Sequence, residues 1–304
     1  MKYDVIIIGA GPGGATAGIY VKRQGLNVAI IERGVIGGQL AESPEIENYP
    51  GFPKMSGMEY GENIRKHLEH LEIPVLFNEV TDIKKVENNF KVFTNGEEYL
   101  CKSVILATGT KHKKLNAEGE NEFYGKGISY CATCDGFFFK NKDVAVVGGG
   151  NTAFYYVDYL SNIASNVYLI HRRKGFRAEP VIVDKVSKKS NVKFIIDSVV
   201  QSFVGNEVLE KIKIENVLTK ELSEIKVSGA FISIGETPNN NLAKTLNLKL
   251  NEKGYIETND LQETNVEGVY ACGDVSGKGW AQALNASTQG MNAALACSDF
   301  IRKQ

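Results

Sequence analysis

The chain repeats itself, because one short pattern of apolar strands and glycines occurs twice. Residues 4–33 and 143–172 align without a gap, and each copy predicts a buried strand, a glycine turn, a helix and a second buried strand. The aligned turn residues are Gly9 with Gly148, Gly11 with Gly150, and Gly14 with Ala153. In a dinucleotide-binding unit these three positions make a tight turn, let the backbone touch a pyrophosphate, and allow close packing of helix on strand. Two copies therefore predict an α/β chain with two Rossmann-like dinucleotide-binding domains.

The two copies differ at the end of the second strand, where the chain meets the adenosine ribose. Glu32 stands there in the first copy, and its carboxylate can accept hydrogen bonds from a free ribose 2′-hydroxyl. The second copy instead has His171, followed by Arg172, Arg173 and Arg177. Guanidinium groups bind a 2′-phosphate, whereas a carboxylate repels it. The second domain is therefore expected to prefer NADP(H) to NAD(H), the alternative being a merely solvated basic turn.

The remaining strand patterns place the second copy inside the first domain. A chain of 304 residues predicts about two domains of roughly 150 residues each. Both copies continue into short strands and then a returning buried strand, at residues 104–109 and 230–235. We therefore expect the first domain to comprise residues 1–112 and 244–304, and the inserted domain residues 113–243. The paired connectors between them suit a hinge.

Local periodicity predicts further elements in the first domain. Short alternating strands are expected between residues 79 and 101. One helix is predicted by the apolar positions Tyr60, Ile64, Leu68 and Leu71. A final helix is predicted by the three- and four-residue spacing of Leu284, Thr288, Met291 and Leu295.

Charge and the N-terminal sequence exclude several classes of partner. Thirty-five Lys and Arg residues balance 36 Asp and Glu residues, so no net field favours nucleic acid or an anionic membrane. The apolar run at residues 5–8 is too short for a signal sequence or a membrane span. We therefore expect a cytoplasmic protein with no nucleic-acid or membrane partner.

Two of the five cysteines, Cys131 and Cys134, form a Cys-x-x-Cys pair. A structural zinc site needs four ligands, and the sequence has no second pair; His67 and His70 share a helix with glutamates and predict a solvated face. A haem attachment site needs His directly after the second cysteine, where this chain has Asp135. With no metal site expected, the pair predicts a redox-active disulfide; the alternative is two unconnected buried thiols.

Taken together, these residues resemble those of the low-molecular-weight, bacterial-type thioredoxin reductases, along essentially the whole chain. The stretches that carry the resemblance are Gly9 to Gly14, Gly37 to Leu40, Glu47 to Gly51, Ala107 to Gly109, Cys131 to Gly136, Gly148 to Ala153, His171 to Arg173 with Arg177, and Gly273 with Asp274.

The resemblance implies that the first domain binds FAD and the inserted domain NADPH. Electrons would pass from NADPH through FAD and the cysteine pair to thioredoxin or a thioredoxin-like protein, and the inserted domain would rotate between two states. It further implies a cytoplasmic homodimer, a proton-supplying role for Asp135, and contact of Asp274 with the ribitol phosphate of FAD. We expect Cys134 to attack thioredoxin, since the neighbouring Asp135 could manage its proton.

The cofactor contacts expected by this resemblance fall into two sets. The FAD set is Gly9, Gly11, Gly14, Glu32, Gly38, Gln39, Asn48, Thr108, Gly109, Gly273, Asp274 and Gln282. The NADPH set is Gly148, Gly150, Asn151, Thr152, Ala153, His171, Arg172, Arg173 and Arg177. A final helix that begins near Gln282 would place its positive end beside the flavin pyrimidine.

Two departures from the family pattern leave alternatives open. After Ala153, where the family usually has a pair of glutamates, this chain reads Phe154-Tyr155-Tyr156, and Trp280-Ala281 stands where Tyr-Arg is usual. These changes reflect either neutral drift or an electron donor other than NADPH, such as reduced ferredoxin or a deazaflavin. A non-catalytic nucleotide sensor, an NADPH oxidase or a flavodoxin reductase would lack the cysteine pair.

Overall fold

The computed structural model describes residues 2–43 and 46–304. Its strands are β1 (Lys2–Ile8), β2 (Val28–Glu32), β3 (Val75–Phe77), β4 (Val80–Val86), β5 (Asn89–Thr94), β6 (Glu98–Leu106), β7 (Thr110–His112), β8 (Ile128–Ser129), β9 (Asp143–Gly148), β10 (Asn166–Ile170), β11 (Val192–Ile195), β12 (Ser198–Gly205), β13 (Leu209–Asn216), β14 (Leu222–Lys226), β15 (Gly229–Ser233), β16 (Glu236–Pro238) and β17 (Val269–Ala271). Its α-helices are α1 (Pro12–Arg23), α2 (Gly57–His70), α3 (Ala132–Asp135), α4 (Asn151–Leu160), α5 (Pro180–Ser187), α6 (Asn241–Thr245) and α7 (Ala283–Arg302).

The chain folds as two compact units, one inserted into the other. The first runs to Lys111 and resumes at Thr237, and the second spans His112–Glu236. The first unit resumes before residue 244, the position expected from the sequence, because α6 packs in this unit, with Leu242 and Ala243 in its core. The connectors β7 and β16 pair as a two-stranded sheet. The predicted α/β architecture, with one repeat inside the other, is confirmed.

The first unit is built on a sheet in the order β3-β2-β1-β6-β5-β4, with β17 also paired to β6. Its central strands are parallel, with Val5 beside Val28 and Ser103. They are rich in β-branched residues because both faces of the sheet are buried, one against α1 and α7 and the other against the antiparallel strands β4 and β5 and helix α6.

Strand β6 differs from the sequence expectation of several short strands followed by a separate returning strand. It is continuous from Glu98 to Leu106. One edge pairs with β1 along its length, while the other pairs antiparallel with β5 and then parallel with β17. One strand therefore belongs to both the antiparallel ribbon and the parallel nucleotide-binding sheet.

Helix α7 packs on α1 through small residues. A Cβ on Gly290 would lie 2.1 Å from the carbonyl oxygen of Gly13, so only glycine permits this approach. The final helix predicted from the spacing of Leu284 and Leu295 is present, and these two side chains are 43% and 37% exposed. The buried face consists of Ala286, Gln289, Gly290, Ala293, Ala294, Cys297, Ser298 and Ile301.

The second unit repeats the architecture in shorter form. Its parallel sheet has the order β11-β10-β9-β15-β8, and β12, β13 and β14 form a separate antiparallel sheet. Phe154 of α4 is fully buried against this parallel sheet, in a core that includes Val146 and Leu169. The short helix α3, which follows β8, contains the second cysteine of the pair. Within the described ranges, no helix is both long and apolar enough to cross a membrane.

Candidate active site

The first glycine turn joins β1 to α1 and leaves bare backbone at the start of the helix. Gly9 has φ +106°, and a Cβ there would lie 2.3 Å from the carbonyl oxygen of Ala107. A Cβ on Gly14 would lie 1.9 Å from the carbonyl oxygen of Gly9, so the helix packs on the turn only without a side chain. Gly11 is the N-cap of α1, and the Cα of Gly38 is the one atom within 4.0 Å of a Cβ built there. This opening fits a pyrophosphate on the helix N-terminus.

Glu32, at the end of β2, braces the same turn. Its Oε2 accepts a hydrogen bond from the Ala10 N–H at 2.6 Å, and its Oε1 accepts one from the Gly34 N–H at 2.6 Å. Each carboxylate oxygen can accept more than one hydrogen bond, so this bracing is compatible with the predicted ribose contact.

Several expected FAD contacts lie along the edges of the first unit. The Thr108 hydroxyl donates to the Asn239 carbonyl at 2.7 Å, and the Asn239 amide donates back to the Thr108 carbonyl at 2.8 Å. The Asn239 N–H also donates to the Gly109 carbonyl at 3.0 Å. Gln39 donates through its side-chain amide to the carbonyl of Thr110. Sequence reasoning missed Asn239, since its partner is 131 residues away.

The start of α7 brings together further expected contacts. Gln282 is the N-cap of this helix, and its Oε1 accepts a hydrogen bond from the Asn48 amide at 3.2 Å. The 3₁₀ turn Gly273–Ser276, which includes Asp274, is fixed by Gln289. Gln289 Oε1 accepts the Gly273 N–H at 2.8 Å. Gln289 is a buried polar residue that the sequence pattern does not single out.

The second glycine turn joins β9 to α4 in the same manner. A Cβ on Gly148 would lie 2.2 Å from the carbonyl oxygen of Ser233. A Cβ on Gly150, the N-cap of α4, would meet nothing within 4 Å. Ala153 is buried against the turn and Thr152 is exposed. This second opening also fits a dinucleotide pyrophosphate.

The basic loop after β10 contacts the second glycine turn through the buried ring of His171 and the backbone of Arg177. His171 is 9% exposed, and its ring occupies the space that a Cβ on Gly149 would fill. Burial lowers the pKa of His171, and the neighbouring arginines lower it further. The Arg177 N–H donates to the Gly149 carbonyl at 2.8 Å. The side chains of Arg172, Arg173 and Arg177 are exposed, where a 2′-phosphate can reach them.

Asn151, an expected NADPH contact, also links two helices. Its Oδ1 accepts the Glu179 N–H at 2.8 Å, and its amide donates to Glu179 Oε1 at 3.0 Å. Glu179 is the N-cap of α5. This reciprocal pair orients the two helix N-termini, and sequence reasoning missed Glu179.

Cys131 and Cys134 form a disulfide with an S–S distance of 2.07 Å. Cys131 is the N-cap of α3, and its Sγ lies 3.4 Å from the Thr133 hydroxyl. The redox disulfide predicted from the sequence is therefore present, and the alternative of unconnected thiols is wrong.

Asp135 follows the second cysteine and is held by Ser129. The Ser129 hydroxyl donates to Asp135 Oδ2 at 2.6 Å, whereas Oδ1 is buried with no hydrogen-bond partner among the described residues. Burial raises the pKa of Asp135, and the hydrogen bond from Ser129 opposes that rise. A carboxyl group whose pKa is raised by burial holds its proton more readily than an exposed one and can serve as a proton donor. Sequence reasoning did not identify Ser129.

The aromatic residues that depart from the family pattern take three different positions. Phe154 lies in the core, Tyr155 is 43% exposed, and the Tyr156 hydroxyl donates to the Tyr130 carbonyl at 3.1 Å. Burial raises the pKa of Tyr156 to about 12, so its phenol stays protonated at neutral pH. Tyr156 thus supports the peptide that precedes Cys131. Trp280 and Ala281 are exposed at the surface of the first unit.

The remaining cysteines and histidines offer no second redox or metal site. Burial raises the pKa values of Cys101, Cys272 and Cys297 to about 12, which disfavours their thiolates. His67 and His70 are exposed on α2. No metal-binding cluster of His, Cys, Asp and Glu occurs in the part of the chain that the structure describes.

Comparison with known proteins links these features to one family. Residues 3–290 match the family described as pyridine nucleotide-disulphide oxidoreductase. The chain is 41% identical over 300 residues to the thioredoxin reductase of Mycoplasma genitalium, covering 98% of this chain and 95% of that protein. The solved thioredoxin reductase of Streptococcus pyogenes matches with a TM-score of 0.94 and 36% identity, covering 100% of this chain and 99% of that one. The solved ferredoxin-flavin thioredoxin reductase of Clostridium acetobutylicum matches with a TM-score of 0.55 and 30% identity, covering 100% and 99%.

Proposed function

The chain belongs to the pyridine nucleotide-disulphide oxidoreductase family, and from this membership we propose that it is an NADPH-dependent thioredoxin reductase. Thioredoxin, or a thioredoxin-like protein, is the substrate. Electrons pass from NADPH through FAD and the Cys131–Cys134 pair to its disulfide. The observation that supports this reaction most directly is the disulfide itself, which in sequence directly precedes Asp135 with its buried carboxyl oxygen and lies in a chain with two nucleotide cradles.

The chain's own residues supply the thiol and proton chemistry. Reduction of the Cys131–Cys134 disulfide takes up two electrons and yields two sulfur groups that share the incoming protons. One thiolate then attacks one sulfur of the thioredoxin disulfide, which breaks that disulfide and releases the other thioredoxin sulfur as a thiolate that takes up a proton. The second cysteine attacks the resulting mixed disulfide, which releases the remaining thioredoxin sulfur and restores the Cys131–Cys134 bond. Asp135 is proposed to give and take the proton at the cysteine sulfur, because its carboxyl is adjacent in the chain and its pKa is raised by burial.

Each cradle is proposed to hold one cofactor. In the first unit the bare backbone at Gly11 and Gly38 holds the pyrophosphate of FAD, and Glu32 accepts the ribose hydroxyl. In the second unit Gly150 holds the pyrophosphate of NADPH, and the exposed arginines bind its 2′-phosphate. FAD, when bound, supplies a two-electron carrier between the nicotinamide and the disulfide.

A donor other than NADPH, the alternative suggested by Tyr155 and Ala281, is not favoured. The arginine cluster is intact and exposed at the end of β10, and the thioredoxin reductase of Mycoplasma genitalium is 41% identical to this chain. Stopped-flow reduction of the enzyme by NADPH, NADH and reduced ferredoxin separates the donors. Faster reduction by ferredoxin than by NADPH would reverse the assignment.

We further propose a homodimer located in the cytoplasm. Support comes from the exposed apolar side chains Leu284 and Leu295 on α7, which a second copy of the chain can cover. Sedimentation should give twice the 33.3 kDa mass of one chain. Cell fractionation should recover the protein with the soluble cytoplasmic fraction.

The test of the proposed relay is Cys134→Ser. This variant should lose thioredoxin reduction while NADPH still reduces the bound FAD, because that transfer needs no thiol. Cys297→Ser is the matched control: its sulfur is buried beside the Ser103 hydroxyl, away from the cysteine pair in sequence and in a different unit. Normal thioredoxin turnover by Cys134→Ser would refute the relay.

A trapping experiment assigns the two sulfurs. Cys131→Ser should form a stable mixed disulfide through Cys134 with a thioredoxin that lacks its resolving cysteine. Trapping only through Cys131, in the Cys134→Ser variant, would exchange the two roles and leave the relay intact.

A further inference from the structure

We propose that the Ser129 hydroxyl positions the Asp135 carboxyl, holding one of its oxygens so that the other exchanges the proton with the cysteine pair. The inference rests on the proposed function, in which Asp135 is the acid–base residue. Ser129 is a positioning residue in this scheme, because it acts through Asp135 and touches no substrate. Its place at the end of β8, two residues before Cys131, ties the carboxyl to the redox turn.

The direction of the hydrogen bonds follows from the donors available. The Cys131 N–H can only donate, and Ser129 Oγ lies 3.0 Å from it, so the serine oxygen accepts this bond. The serine hydroxyl has one hydrogen to give. Asp135 Oδ2 lies 2.6 Å away and the Cys131 carbonyl 3.3 Å away, so the hydrogen goes to the carboxylate.

This arrangement makes the two carboxyl oxygens unequal. Oδ2 already receives the hydrogen of Ser129, whereas Oδ1 is buried and without a hydrogen-bond partner in the described part of the chain. A proton therefore binds at Oδ1. The bond to Oδ2 favours the ionised form, and burial of the carboxyl favours the neutral form.

Few other groups near Asp135 can replace Ser129 as a hydrogen-bond donor to its carboxylate. Ser129 is 5% exposed, so bulk water does not reach its place easily. Tyr156 of α4 faces Asp135 but keeps its proton, and Glu236 of β16 in turn faces Tyr156 and pairs with His112 at 3.3 Å. Of these neighbours, Ser129 is the one that donates directly to the carboxylate.

The test compares the pH dependence of thioredoxin turnover in the holoenzyme. Ser129→Ala should move the limb that belongs to Asp135 to higher pH by about one unit, a tenfold gain in proton affinity, because a charge-assisted bond is lost. Reduction of FAD by NADPH should be unchanged. Ser198→Ala removes the hydroxyl of another buried serine of the same unit, which donates to the Ile196 carbonyl, and should keep the wild-type profile.

A matched pair covers the case in which Ser129→Ala does not fold. Ser129→Thr keeps the hydroxyl and should keep the pH profile. Ser129→Val introduces a side chain of nearly the same shape as threonine but without the hydroxyl, and it should shift the pH profile. The carboxylic-acid band of Asp135 in difference infrared spectra, assigned by its loss in Asp135→Asn, should titrate at the same shifted pH.

The outcomes separate this inference from the proposed function. If Asp135→Asn leaves thioredoxin turnover and its pH profile unchanged, Asp135 is not the acid–base residue and the proposed role fails. If Asp135→Asn alters the profile but Ser129→Ala and Ser129→Val match the wild type, Asp135 keeps its role and the positioning by Ser129 is overturned.

Discussion

At the scale of single residues, we propose that the basic loop after β10 determines which nucleotide the second unit accepts. Arg172→Ala combined with Arg177→Ala should raise the KM for NADPH at least tenfold and leave that for NADH nearly unchanged. Two charge-assisted bonds contribute roughly 3–6 kcal/mol before losses to solvent. Steady-state kinetics with both nucleotides measures this, and Lys174→Ala is the control for removal of a charge from the same exposed loop. Equal effects on NADPH and NADH would refute the assignment.

The buried His171 predicts how stability depends on pH. Its pKa is lowered from 6.5 by burial, so below that pH the unfolded chain binds more protons than the folded one. Stability should therefore fall as the pH drops below 6.5. His171→Asn should flatten this slope in melting curves between about pH 7.5 and 5, whereas exposed His67→Asn should not. An unchanged slope in His171→Asn would mean that the buried imidazole does not control it.

The sequence could identify residues whose chemistry shows in a local pattern, and it missed those whose partners are distant or polar and buried. The cysteine pair and the glycine turns stand at fixed local spacing. Gln289, in contrast, acts on Gly273 through a helix face that no local pattern marks. Ser129 was missed because a serine two residues before a cysteine is not part of a recognisable motif. Its role depends on the fold, which directs its hydroxyl to the Asp135 carboxylate.

At the scale of elements, the contact between α1 and α7 depends on the absence of a side chain. Gly290→Ala would place its Cβ 2.1 Å from the Gly13 carbonyl oxygen, which is backbone and cannot swing away. We expect a loss of roughly 1–3 kcal/mol in the free energy of unfolding, measured by denaturant titration. Thr288→Ala, on the exposed side of α7, should change it little. Equal stability of Gly290→Ala and wild type would show that the helices can separate without cost.

The final helix also shows that periodicity can predict a helix without identifying the face that the helix buries. Large apolar side chains recur at the spacing of a buried stripe, yet the buried stripe consists of small residues. A hydrophobic period is detected through large apolar side chains. Two helices that pack closely need small residues at their contact, and such residues contribute little to that period. Strand β6 was divided for a related reason, since one continuous strand carries two kinds of pairing that the pattern reads as two elements.

At the scale of the whole molecule, two units with one cradle each predict cofactor content. The purified protein should be yellow, with one FAD per chain, and removal of FAD should lower its Tm, because a ligand bound only to the folded state stabilises it. Visible absorbance and calorimetry before and after FAD removal measure both effects. A colourless protein that does not bind added FAD would contradict the assignment of the first cradle.

The architecture at this scale could be predicted from the sequence because the same strand, glycine turn, helix and strand pattern occurs in two copies, and each copy supports the assignment of the other. The point where the first unit resumes could not be predicted. It depends on Asn239 bonding back to Thr108 and on α6 joining the first core, and neither contact has a local signature.

The ends of the inserted unit meet. Lys113 N–H donates to the Gly235 carbonyl at 3.0 Å, and within the first unit Asn239 N–H donates to the Gly109 carbonyl at 3.0 Å. When the two ends of an inserted segment lie close together, the segment acts on the host fold as a short surface loop does, and its length has little effect on that fold. The first unit can therefore accept an inserted segment at this point and keep its own fold.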